Sequence, residues 1–367
     1  MSVARGMPMW DLPGWVKGWS RVAADVRKLA DSSLERGRKF SACEHYLRAA
    51  NYFQMAEYYA IIALGNHVHF GLMSQQCFES AMPLLRWNGE SVSPGINGRI
   101  YPSYFFSPDA SGEARPTVLV VGGLESSAEE MYFNYGVSAL QRGYNVMLFQ
   151  GPGQAGVLRR QADSRLQPDY EIPLQLALDY LNAREDVDSD RLAVIGNGLG
   201  GYFASRIAAF DPRVKALIVN PPHTNLHRML VQVIGQRALI IDVDFHALNE
   251  LPPSLMRGDL KLLVLNICRR FGVTHLQAMI KTSMSYVVEE LLYRIQCPTL
   301  CIRGMDTHQE MVRQSDDFCN GIRSQDKQLV LLPNLHEADA QNHFSNIPRL
   351  NQEIFDWLDE RFHPLDD

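Results

Sequence analysis

No run of apolar residues in this 367-residue chain approaches the ~20 that a membrane-spanning helix needs, so no membrane partner is expected. Met1 to Trp15 lacks the charged-then-apolar order of a secretory signal, and the expected address is cytoplasmic. Positive charge is in deficit: 35 Lys and Arg stand against 41 Asp and Glu, a net charge of -6. A surface that neutralises phosphates needs the opposite sign, which argues against nucleic acid as a partner. Cysteine is scarce and scattered, at Cys43, Cys77, Cys268, Cys297, Cys301 and Cys319. Cys297 and Cys301 flank a proline in what reads as a strand, a poor geometry for zinc, so reduced structural thiols are expected. His223 and His227 could share a helix face, but no third ligand lies near them in sequence. Neither a metal nor a cofactor is expected. Internal repeats and low-complexity segments are also missing.

What is present is 46% hydrophobic, enough to bury a large core. From Trp15 to about Trp87 apolar residues recur at three and four, as in Val22, Val26 and Leu29, then Tyr46, Leu47, Ala50 and Phe53, which predicts helices. Gly89, Pro94, Gly95 and Gly98 then read as a linker. Beyond it, β-rich runs alternate with helical ones. Strands are expected at Arg99 to Phe106, Thr117 to Val121, Asn145 to Phe149, Leu192 to Ile195, Ala216 to Val219, Thr299 to Ile302 and Gln328 to Leu332. Unbroken runs such as Val118-Leu119-Val120-Val121 mark strands buried on both faces of a parallel sheet. Helices are expected around Ala128 to Gln141, Ile172 to Arg184, Leu199 to Ala209 and Leu350 to Arg361, giving an α/β doubly wound core. Roughly eighty residues between Val219 and Thr299 carry no strand pattern and read as a helical insertion. The expected organisation is a helical N-terminal domain at 1–95, a core at 96–221 and 297–367, and a helical lid at 222–296.

The segment from Arg191 to Tyr202 is an apolar strand, a glycine-dense turn and a helix. This is the setting of a nucleophile elbow, in which the middle position of G-x-S-x-G holds an exposed serine. Here the frame is Gly196, Asn197, Gly198, Leu199, Gly200, with glycine at the nucleophile position. A dinucleotide fingerprint could also be drawn through Gly196, Gly198 and Gly201. It would need an acidic residue about twenty positions on, where the chain has Asn220.

Motifs along nearly the whole chain then converge. They are Ser41-Ala42 with Tyr46-Leu47-Arg48-Ala49; Gly122-Gly123-Leu124-Glu125 with Glu130-Met131-Tyr132-Phe133; Arg142-Gly143-Tyr144-Asn145-Val146; and Gly151-Pro152-Gly153-Gln154. Asp169-Tyr170-Glu171, Leu199-Gly200-Gly201-Tyr202-Phe203-Ala204 and Phe355-Asp356-Trp357-Leu358 complete the set. The chain resembles the α/β-hydrolases that group the FrsA-type esterases, the 2,6-dihydropseudooxynicotine hydrolase and the fungal polyketide-shortening hydrolases. The resemblance implies an α/β-hydrolase fold with a helical N-terminal domain and a helical lid, a homodimer, and a Ser, Asp, His triad. Carried over by position, the serine falls on Gly198, the acid on Thr307 with Asp306 one residue early, and the histidine on Gln341 with His343 two residues late. The triad reads as degenerate.

Without an Oγ no acyl-enzyme forms. The Leu199 N–H and an N–H of the Gly122–Glu125 loop, assigned to Leu124, are where an oxyanion hole would lie. Asn197 could donate to a substrate carbonyl or only shape the turn. Glu125 could act as a base or as a helix-start carboxylate. Asp306 and His343 could couple as an acid–base pair, with His308 a further candidate beside Asp306 and Gln341 left as a substrate-binding position. Met229, Met256, Met279 and Met284 could line a lid pocket or pack as ordinary core. The expected function is a non-hydrolytic enzyme of secondary metabolism that cyclises, isomerises or dehydrates a polyketide-like carbonyl compound. Two alternatives stay open: a hydrolase or carbon–carbon bond-cleaving enzyme silenced by exchange of its serine for Gly198, and a catalytically silent ligand-binding protein.

Overall fold

The computed structural model describes residues 11–362 except 64–66, 97, 241, 253, 255 and 334–345. The chain opens with helices α1 (Leu12–Glu35), α2 (Lys39–Ala63) and α3 (His67–Ala81). Asp11 caps α1 by accepting from the Gly14 N–H at 3.0 Å. Val16, Ala23 and Ala30 are buried at seven-residue spacing, and Ala42, Ala49, Ala56 and Ala60 are buried on α2. Small side chains on both faces let the two helices pack closely. Tyr46 and Phe53 are also buried, so these aromatics cover the helical layer from within, and the expected homodimer rests on the resemblance alone.

An eight-stranded sheet follows, in the order β1-β4-β6-β5-β7-β8-β9-β10. Its strands are β1 (Asn88–Val92), β4 (Ser103–Ser107), β5 (Arg115–Val121), β6 (Asn145–Phe149), β7 (Val187–Asn197), β8 (Ala216–Asn220), β9 (Thr299–Gly304) and β10 (Lys327–Leu332); β2 (Gly95–Ile96) and β3 (Arg99–Ile100) form a separate ribbon. Strands β5 to β10 pair in parallel, and β1 and β4 add an antiparallel edge. Alternation splits the apolar run of β5 between two cores: Val118 and Val120 pack on one face, Leu119 and Val121 on the other.

Two expectations need correction. The run Arg99 to Phe106 is not one strand but two, broken at Tyr101–Pro102, and the linker contains β1. Gly89 hides that strand from a propensity reading. It pairs with Phe106, whose ring lies where a Cβ on Gly89 would stand, 2.4 Å away.

Helices flank the sheet. α4 (Ala128–Met131), a π-turn (Tyr132–Gly136) and α5 (Val137–Gln141) run on from one another, followed by α6 (Ala155–Leu158), α7 (Glu171–Asn182) and α8 (Gly200–Phe210). Between β8 and β9 lie α9 (Leu226–Ile234), α10 (Phe245–Glu250), α11 (Gly258–Phe271) and α12 (Leu276–Ser283), and the described residues there contain no strand beyond isolated bridges. α13 (Gln309–Gly321) and α14 (Ile347–Phe362) complete the fold. Arg228 on α9 reaches Glu310 at 2.8 Å, Asp317 at 3.0 Å and Glu289 at 3.1 Å, fastening the inserted helices to the core. No described helix is long and apolar enough to cross a membrane.

Candidate active site

Strand β7 ends at Asn197, and the chain turns through Gly198 and Leu199 into α8. Gly198 has φ +57°, the left-handed conformation of an elbow tip, which glycine adopts without strain. Its N–H donates to the Asn220 carbonyl at 2.8 Å, which ties the turn to β8. Beneath it the Tyr135 hydroxyl, carried on the π-turn, donates to Asn197 Oδ1 at 2.7 Å. The Asn197 oxygen is therefore committed to the protein, although the residue still contributes to the cavity wall.

The loop after β5 lies directly against this turn. A Cβ on Gly123 would stand 3.1 Å from the Asn197 carbonyl oxygen and 3.2 Å from the Leu199 nitrogen, so any larger residue would press the two loops apart by a few tenths of an ångström. The loop's orientation is set from behind. Gln154 Nε2 donates to the carbonyls of Gly122 at 2.7 Å and Gly123 at 3.1 Å, while Gln154 Oε1 accepts from the Gly151 N–H at 2.8 Å. A trans peptide points its N–H opposite its C=O, so holding the Gly123 carbonyl aims the Leu124 N–H away from Gln154. Among the described residues neither the Leu124 nor the Leu199 N–H has an acceptor. Both residues border the same cavity, so two backbone donors without an acceptor among the described residues are available there to a ligand.

That cavity has a volume of about 470 Å³. Leu226, Met229, Leu230 and Val233 of α9 with Leu263 and Ile267 of α11 give it an aliphatic roof, and Tyr58 and Tyr59 of α2 close one side. Of the four methionines singled out, Met229 lines the cavity, Met279 is core, and Met284 is exposed. Three acidic residues border it, Glu57, Glu125 and Glu130. Burial pushes the Glu130 carboxyl up to about 7, with the neighbouring Glu125 adding to the rise against hydrogen bonds that favour the anion. One of these comes from Gln54 Nε2 at 3.2 Å. Glu130 also belongs to a capping box: its N–H donates to Ser127 Oγ at 3.2 Å, and its carboxylate reaches back to the Ser127 backbone. Burial likewise raises the Glu125 carboxyl, opposed by the Arg270 guanidinium and the Tyr58 hydroxyl beside it. His223 faces the same space, with its imidazole driven down to about 4 by burial and its Nδ1 without a partner. It is a neutral ring at pH 7.

In the cavity wall, Arg159 forks onto Glu57, Nε to Oε1 at 2.9 Å and Nη2 to Oε2 at 2.5 Å, and reaches Glu129 at 3.4 Å. Glu129 also accepts from the Tyr104 hydroxyl at 2.9 Å. This buried network joins α2 to the core.

The structure thus brings together Gly198, Leu199, Leu124, Asn197 and Glu125. It does not bring Asp306 or His308 to them. Asp306 is exposed in the turn after β9, and His308 caps α13 by accepting from the Glu310 N–H at 3.3 Å, so neither lines the cavity. Their sequence neighbourhood is that of a triad acid, but the turn projects Asp306 into solvent. Gln341 and His343 lie outside the described residues. The pairing of His223 with His227 also fails: His227 Nδ1 contacts Ser283 Oγ at 3.2 Å and the Ile280 carbonyl at 3.3 Å, and His227 is not part of the cavity wall. No group of three metal-ligating side chains occurs among the described residues. Glu130, Gln154, Arg159 and Arg269 escaped functional assignment from sequence. Glu130 and Gln154 stand in motifs of the resemblance without a role attached, and the Ser127-x-x-Glu130 spacing is the local signal that could have marked Glu130, as a helix start.

A parallel-rich sheet with antiparallel edge strands, an elbow after β7 and a glycine-rich loop after β5 packed against it define an α/β-hydrolase-fold protein. The chain belongs to the FrsA-like esterase family, which it matches over residues 12–244. It is 28% identical to the α/β hydrolase xenA of Xenoacremonium sinensis over 96% of this chain and 89% of that protein. It is 34% identical to the hydrolase acrC of Aspergillus aculeatus over 59% of this chain and 55% of that one. The crystal structure of a 2,6-dihydroxy-pseudo-oxynicotine hydrolase superposes with a TM-score of 0.77 at 24% identity, covering 99% of this chain and 92% of that one.

Proposed function

We propose that the protein is a non-hydrolytic enzyme that enolises a polyketide-like carbonyl compound and so isomerises, cyclises or dehydrates it. One observation carries this reading: Gly198 offers no nucleophile, while the same aliphatic cavity holds two unpaired N–H donors and a carboxyl group, Glu130, whose proton leaves near pH 7. A carbonyl oxygen placed against the Leu124 and Leu199 N–H groups is polarised. The Glu130 carboxylate then takes a proton from the α-carbon, the C–H electron pair becomes the enolate double bond, and the negative charge gathers on the oxygen that the two donors hold. Return of the proton to another carbon isomerises the substrate. Attack of the enolate carbon on a second carbonyl closes a ring, and loss of a β-hydroxyl with that proton releases water. The polyketide-like substrate class follows from the resemblance to the family.

The test is solvent exchange on an uncharged methyl ketone, 4-phenyl-2-butanone, in D₂O, followed by NMR. Deuterium should enter the α-positions faster with the protein than with buffer, and Glu130→Gln should remove the difference while keeping the capping box. No protein-dependent exchange would overturn the reading.

A second reading is favoured by the relatives, which are named as hydrolases. Here Glu130 or His223 activates a water that attacks the polarised carbonyl directly, with no acyl-enzyme. Ester cleavage without burst kinetics, carrying ¹⁸O from solvent into the acid product, would select it over enolisation.

A further inference from the structure

We infer that Arg269 anchors a carboxylate of the substrate, so that the cavity takes an amphiphilic acid with an apolar body, one carboxylate and the reacting carbonyl. The inference rests on the cavity being the substrate site, as proposed above.

Three guanidinium groups border the cavity, in different circumstances. Arg159 is matched by Glu57 and Glu129. Arg270 donates through Nη1 to the Gly153 carbonyl at 2.5 Å and is attracted by Glu125, while its buried Nε has no acceptor among the described residues. Arg269, in the last turn of α11, is half-buried in the cavity wall, and among the described residues it has neither an ion-pair partner nor a hydrogen-bond acceptor. Its place at a helix C-terminus favours the cation but gives its donors nothing to bind. Burial, followed by repulsion from Arg270, brings its pKa down to about 10 against a weaker attraction from Glu57 that forms no direct ion pair, so the group is still charged at neutral pH.

A partly desolvated cation without a direct ion-pair partner is costly, and a ligand anion bound to it reduces that cost. The planar fork of a guanidinium matches a carboxylate through two parallel N–H···O bonds. One free guanidinium suits a monoanion. A phosphate dianion would face Glu125 and Glu130 in the same cavity with too few donors, and the aliphatic roof requires that the rest of the ligand be apolar.

The experiment is calorimetric titration with 4-phenylbutanoate and its near-isosteric neutral counterpart 4-phenylbutanamide, with inorganic phosphate as a third probe. The wild-type protein should bind the acid about tenfold or more tightly than the amide, a difference of about 1.4 kcal/mol. Arg269→Gln should bring the two affinities together at the level of the amide, Arg269→Lys should keep part of the preference, and phosphate should not bind. Equal affinities in the wild type, no binding of either probe at millimolar concentration, a preference that survives Arg269→Gln, or phosphate binding better than the acid would each overturn the inference. The uncharged ketone used for exchange does not need Arg269. Exchange without acid preference therefore defeats only the anchor, and acid preference without exchange defeats only the enolisation reading.

Discussion

Gln154 donates to the Gly123 carbonyl at 3.1 Å, and this contact turns the N–H of the next residue, Leu124, away from Gln154. Gln154 is itself 1% exposed and is held by the Gly151 N–H, so it works as a fixed bracket. Gln154→Ala should free the Gly123–Leu124 peptide and lower α-proton exchange about tenfold to a hundredfold, with little change in the affinity for 4-phenylbutanamide. Leaving two buried carbonyls unpaired also costs stability, by about 1–3 kcal/mol each. If exchange is unchanged in a folded Gln154→Ala protein, the loop donor takes no part in the reaction.

Gly198→Ser places a hydroxyl at the elbow in the left-handed conformation that such serines occupy, at a backbone cost on the order of 1 kcal/mol. Neither Asp306 nor His308 reaches the cavity to activate it. Hydrolysis of an aryl ester should therefore rise less than about a hundredfold, and fluorophosphonate labelling of Ser should stay slow. A larger gain would show that an imidazole already serves position 198.

Activity should follow the ionisation of Glu130. If its carboxylate is the base, the exchange rate climbs with pH to a plateau, with a midpoint near the Glu130 value of about 7, and Glu130→Gln removes the limb. Stability moves the opposite way. A carboxyl raised in the folded state binds more protons folded than unfolded, so its contribution is complete below the ordinary carboxylate range and is lost as pH rises through about 7. The melting temperature of Glu130→Gln should gain on the wild type across that interval. His223 has the reverse sign for an imidazole: its depressed value means stability is lost as pH falls from about 6.5 toward 4, and His223→Gln should blunt that loss.

The Arg159 fork on Glu57 spans 102 residues and joins α2 to the core. Arg159→Met leaves Glu57 and Glu129 buried without their cation and should cost about 3–5 kcal/mol, read by denaturant unfolding. Replacing all three by apolar or amide groups should recover much of that loss. A cost under about 1 kcal/mol for Arg159→Met would mean that water reaches the carboxylates.

Local pattern was enough for much of the fold. The run Val118 to Val121 announces a strand buried on both faces because only such a strand stays apolar at every position, and the glycines around Asn197 announce an elbow because few other turns need them. The missing Oγ at position 198 is likewise a fact of sequence alone. Strand β1 was hidden because Gly89 has a low strand propensity, and only its pairing with Phe106 shows why glycine belongs there. The chemistry of the site belongs to the tertiary structure. In its own segment Glu130 caps a helix start and Arg269 ends a helix. What changes their meaning is desolvation and the presence or absence of a partner. Those depend on α2, α9 and α11 closing over the elbow, so residues far apart in the chain determine the charge of each group.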